Sequence, residues 1–122
     1  MAAANATKST PLGDNSTEVW TWVLTATNTS GSPVQVQNGD VTVQVGTTGD
    51  AFNTGTVAIQ GSNDEVAFTT LDNPNGTAMS YTAAALQAVQ QQPLYIQPTV
   101  TAGAVTQVTV VMTVRRPQPT RN

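Results

Sequence analysis

Apolar positions along this chain recur at every second residue in short runs, and clusters of turn formers close each run. The clearest case begins at Gly55. Val57 and Ile59 alternate with Ala58 and Gln60, the period of a half-buried strand. Gly61-Ser62-Asn63-Asp64 then supplies turn formers in succession, and Val66-Ala67-Phe68-Thr69-Thr70-Leu71 resumes the extended pattern. That combination predicts a β-hairpin. Downstream, Pro93-Leu94-Tyr95-Ile96-Gln97-Pro98 reads as a short strand that partners the hairpin. Its prolines cannot donate to a ladder, so the pattern places it at an edge or in brief pairing only.

The same reading assigns the rest of the chain. Between Glu18 and Asn28, Trp20, Trp22, Leu24 and Ala26 share one face of a strand, and Thr21, Val23, Thr25 and Thr27 share the other. Val34 and Val36 begin a short strand before the turn Asn38-Gly39-Asp40, and Val41, Val43 and Val45 alternate after it. The final strand sends Val108, Val110, Met112 and Val114 one way and Thr109, Val111, Thr113 and Arg115 the other, until Pro117 and Pro119 end it. Ile59, Phe68, Val110 and Met112 occupy the inward phase and are expected in the core. Helix propensity is confined to Ala83–Gln90, with Thr82 as its N-cap and Leu86 and Val89 on one face. Short strands separated by turn clusters indicate an all-β fold, an antiparallel jelly-roll-like β-sandwich with one short helix and extended polar termini. Residues 1–17 form a polar N-terminal arm with too little to bury to order alone, residues 18–116 the sandwich domain, and residues 117–122 a Pro-rich tail.

Composition changes the picture in two ways. The 122 residues support one domain, and only 9% of them are charged, against about 25% in ordinary globular chains. A surface so poor in charge suits a protein that works inside an assembly, and equally a small extracellular β-domain, where Thr-rich surfaces are also common. The net charge of −3 offers no electrostatic footprint for nucleic acid. No histidine and no cysteine are present, which removes Ser-His-Asp and Cys-His catalysis, disulfides and the usual zinc ligand sets. Asp40, Asp50, Asp64, Glu65 and Asp72 fall in expected loops and read as turn carboxylates, not as acid/base pairs or a Ca²⁺ site. No apolar run approaches the length of a membrane span, so the chain reads as neither membrane-bound nor exported, and no cofactor is expected. Trp20 and Trp22 are assigned to the core and not to a stacking platform for a sugar or base.

Four segments in order, Val57 to Asp64, Phe68 to Leu71, Pro93 to Pro98 and Val108 to Val114, resemble small head proteins of tailed bacteriophages. Those proteins act as capsid cement or decoration subunits. The first and third segments are also similar to discoidin-like jelly rolls, although no residue of a discoidin ligand loop maps onto this chain. The resemblance implies a non-enzymatic virion protein, located on the capsid surface and in the host cytoplasm during assembly. Its partners would be the major capsid protein and copies of itself, in a homotrimer. The alternatives are a carbohydrate-binding module and a tail or head-fibre accessory protein. Contacts to the shell or between protomers are expected from the termini and the outer face of the last strand. Lys8, Pro11 and Leu12 supply an extended arm, Val111 an exposed apolar position, and Arg115 and Arg116 partners for acidic residues.

Overall fold

The computed structural model of the chain describes residues 4–9, 17–36 and 39–115. Among these residues ten strands follow one another: β1 (Thr7–Ser9), β2 (Thr17–Thr25), β3 (Val34–Gln35), β4 (Asp40–Val45), β5 (Thr56–Ser62), β6 (Thr69–Thr70), β7 (Ser80–Tyr81), β8 (Ala85–Ala88), β9 (Tyr95–Ala102) and β10 (Gln107–Arg115). They form two antiparallel sheets. The first has the order β1-β2-β10-β4-β8, and the second β3-β9-β5-β6, with β7 also paired to β5.

The pairings reveal how the chain is wound. β2 pairs with β10, β3 with β9, β4 with β8, and β5 with β6. The chain is therefore one long antiparallel ribbon folded back on itself, and its successive rungs go alternately to the first and second sheet. That is the jelly-roll winding expected from the strand pattern. The hairpin around Gly61 is the closed end of this ribbon, with Gln60 opposite Thr70 and Gly61 opposite Thr69.

Alternation builds the core. Trp22, Leu24, Val43, Val45, Val108, Val110 and Met112 of the first sheet are buried against Val57, Ile59 and Ile96 of the second. Leu71, Met79 and Val105 fill the spaces between, and each large buried side chain is worth about 1.5–3 kcal/mol. Trp22 also satisfies its indole by donating from Nε1 to the Ser32 carbonyl at 2.8 Å.

Several expectations need correction. The Ala83–Gln90 stretch holds a strand and no helix: β8 pairs Ala85 with Val45 and Ala88 with Thr42, and its burial alternates with period two. A helix so short is marginal in water, whereas β4 otherwise leaves a free edge for β8 to pair. Phe68 is half-buried and outside the core cluster, because residues 63–67 form a loop and the strand resumes only at Thr69. Ala26 lies past the end of β2 and is exposed.

β9, finally, is an inner strand despite Pro98. Pro98 stands opposite Ile59, whose N–H and carbonyl bond away from β9, to the Met79 carbonyl and the Leu71 N–H. That ladder asks nothing of the missing proline N–H. On the other side Gly31 donates to the Pro98 carbonyl at 2.7 Å, and Val100 donates to the Thr29 carbonyl at 2.8 Å. A Cβ at Gly31 would lie 2.6 Å from Pro98 Cδ, so glycine lets the chain pass close to the ring.

The first described residues, 4–9, are seated on the sandwich. Ala4 is buried, its N–H donates to the Ser30 carbonyl, and its own carbonyl accepts from Ser32. Segment 4–9 then crosses to the first sheet, where β1 pairs with β2 at Thr7–Thr21 and Ser9–Val19. Residues 4–9 thus order on their own chain.

Candidate interaction surface

The side of the first sheet that faces away from the core collects the residues left over by the inward alternation. β2 contributes Val19, Thr21 and Val23, β10 contributes Thr109, Val111 and Thr113, β4 contributes Thr42 and Gln44, and β8 contributes Leu86 and Ala88. Cross-strand register makes this a lattice. One row across all five strands reads Thr7, Thr21, Val111, Gln44, Leu86. The flanking rows place Val23 beside Thr109, and Val19 beside Thr113 and Thr42. β-Branched side chains dominate because they fit a pleated surface, and no charged group stands in these three rows.

Charge appears at the two ends. Arg115 and Asp40 face each other across β10 and β4 at one end. At the other, Asp50 closes the loop after β4. Burial raises its pKa, but hydrogen bonds outweigh that effect and hold it below the ordinary carboxylate range. Its Oδ2 accepts from the Thr109 N–H at 2.7 Å and the Thr47 N–H at 2.8 Å, and its Oδ1 accepts from Gln107 Nε2 at 3.2 Å. The carboxylate so ties the 47–50 loop to β10.

Exposure picks out the apolar members. Leu86 is 63% exposed and Val23 42%, while Val111 is half-buried among its threonine neighbours. Val66, 82% exposed, belongs to the ribbon tip and not to this face. Sequence reasoning placed Val23 and Val111 outward correctly. It missed Leu86, whose position in a strand was hidden by local helix propensity. It also took Asp50 for an ordinary turn residue, and only the fold brings it to Thr109.

The expected contact residues do not converge. Val111 lies at the centre of the face and Arg115 at one end of its central strand. Lys8 points to the other side of the sheet, where its Nζ lies 3.3 Å from Glu18 and 5.5 Å from the Trp20 ring centre. Pro11, Leu12 and Arg116 lie outside the described residues, as does the tail at 117–122. The tryptophans make no platform: Trp22 is in the core, and Trp20 is partly buried beneath Lys8.

Among the described residues no group of three or more carboxylates is placed to hold a metal ion. A shallow apolar cleft of about 220 Å³ opens beside Val36, Val41, Pro93 and Leu94, with no titratable side chain in its lining. A larger and more open hollow of about 440 Å³ lies along Gly61, Asn63, Thr69, Thr70 and Gln91, and it too has no titratable side chain in its lining. No helix among the described residues is long and apolar enough to cross a membrane. No protein-family model matches the sequence, and no curated protein matches it significantly.

Proposed function

We propose that this protein is a structural virion subunit, a cement or decoration protein that binds the outer surface of a tailed-phage capsid and bridges neighbouring capsomers. The observation that carries the reading is the uncharged Thr/Val face of the first sheet, five strands wide. Such a face carries no charge whose hydration must be given up, and an assembly that covers it gains the apolar contribution of Val23, Val111 and Leu86. Resemblance of the ribbon tip, β9 and β10 to phage head proteins supplies the class of assembly. The mechanism is mechanical. Each subunit that spans two capsomers adds interface, and the added interface stabilises the closed shell by mass action against internal pressure.

The test uses capsids built from the major capsid protein encoded beside this chain and lacking it. Purified protein should cosediment with them saturably and raise the temperature at which they open. Absence of saturable binding, or a neighbouring gene for a glycoside hydrolase with a competable glycan ligand for this chain, would reject decoration.

A further inference from the structure

We propose that the outer face of the first sheet closes on the same face of a second copy, about a two-fold axis that crosses the strands along the row Thr7, Thr21, Val111, Gln44, Leu86. The inference rests on the reading of the chain as an assembly subunit and names the partner of its uncharged face.

Three observations select this occupant. The first is self-matching. A two-fold along that row inverts each strand about its middle residue, so Val111 meets Val111, Leu86 meets Leu86, and Val19 meets Val23 of the partner copy. Thr21 meets Thr21, and Thr109 meets Thr113. These pairs follow from the register alone, in which Val111 stands opposite both Thr21 and Gln44, and Gln44 opposite Leu86. Turning the axis to run along β10 instead sets Leu86 over Thr7 and Thr21 over Gln44, which spoils the apolar matches.

The second is charge. The same inversion lays Arg115 of one copy over Gln107 of the other, four residues beyond Val111 in the opposite direction. Gln107 Nε2 already donates to Asp50. Two symmetric Arg115–Asp50 approaches therefore bracket the apolar rows, with Asp40, the cross-strand neighbour of Arg115, brought over the same 47–50 loop, so each guanidinium stands between two carboxylates. An isologous contact makes every such pair twice.

The third is size. The five strands hold 3, 9, 9, 6 and 4 residues, and at roughly 3.4 Å per residue and about 4.8 Å between strands they give a face of roughly 500 Å², so a pair buries on the order of 1,000 Å². That sits under the lower bound of standard specific interfaces, among weak and reversible pairs. Face-to-face stacking also keeps the ribbon tips of the two copies free, so the pair has two identical ends with which to span two capsomers. The three-fold assembly expected from the sequence resemblance would instead set this face against a different surface, and lose the self-matching.

The test is sedimentation equilibrium of the full chain across the micromolar range, alone and with capsids. A reversible dimer is expected. Val111→Asp, which puts two carboxylates together on the axis, should weaken association at least tenfold while leaving the far-UV circular dichroism unchanged. Leu86→Asp, on an exposed edge strand, is the second variant should Val111→Asp misfold, and it should act in the same direction. Val66→Asp, at the ribbon tip, should leave association unchanged. A dimer with this pattern supports the inference even if it fails to bind capsids, in which case decoration alone is rejected. A monomer throughout, an oligomer indifferent to both face variants, or a monomer that loses capsid binding on Val111→Asp overturns it, the last outcome giving the face to the capsid.

Discussion

Asp64 shapes the tip of the ribbon through one oxygen. Its Oδ1 accepts from the Val66 N–H at 2.9 Å, the Ala67 N–H at 3.0 Å and the Ser62 hydroxyl at 2.8 Å. Ser62 Oγ in turn accepts from the N–H groups of Asp64 and Glu65. These bonds hold Glu65 at φ +63°, a conformation that side chains other than glycine rarely adopt. The Val66 and Ala67 N–H groups lower the Asp64 pKa from 3.8 to about 2. A carboxyl depressed on folding stabilises the fold fully above its unfolded pKa and loses that contribution as pH falls through the folded value. The tip should thus stay closed at pH 5 and loosen between about pH 4 and pH 2. Carboxyl-carbon NMR should give Asp64 a midpoint near 2, and a midpoint near 4 would mean that the loop bonds do not persist in solution. Beside it, a Cβ on Gly61 would lie 2.5 Å from Pro93 Cγ and 2.8 Å from Leu71 Cδ2. Gly61→Ala should cost about 1–3 kcal/mol by overpacking, measured by denaturant unfolding.

Two elements carry predictions that differ from what the sequence suggested. Ile59 is wholly buried between the sheets, and Ile59→Ala should cost about 2–5 kcal/mol. Phe68 is half-buried beside the tip loop, so Phe68→Ala should cost clearly less, on the order of 1–2 kcal/mol. Equal losses in paired melts would put Phe68 back in the core. Segment 4–9 buries Ala4 and hydrogen-bonds to the 30–32 connection and to β2. Deleting residues 2–9 should therefore lower Tm by roughly 5–10 °C, an effect on the order of 2 kcal/mol. An unchanged Tm would mean that the segment leaves the sandwich in solution.

Those differences trace what local pattern can and cannot encode. β2, β4, β5 and β10 were legible because long alternation with β-branched residues leaves one register that buries the apolar set. β8 was not, since Ala85 to Ala88 favour helix locally and become a strand only beside β4. The inner place of β9 depends on Gly31 and on the direction in which Ile59 points its N–H, both set by residues far away in the chain. Of the candidate face, Val23 and Val111 were visible as outward phases. Leu86 and Asp50 join it through pairings that no short window contains.

At the scale of the whole molecule, a chain with 9% charged residues folds into a sandwich whose described charges, apart from the Lys8–Glu18 pair, stand at loops and sheet ends, and the three central rows of one broad face carry none. Pairing of that face with its own copy, and attachment of the pair to a shell, are separable steps. Sedimentation of the isolated protein reads the first. The second, decoration itself, is the central claim, and the most direct measurement is saturation binding to capsids that lack this protein, followed by thermal disruption of the bound and bare shells. Binding that saturates at a fixed number of copies per capsomer, with bound shells opening at a higher temperature, is the predicted result. Binding that never saturates, or saturated shells that open at the same temperature as bare ones, would contradict it.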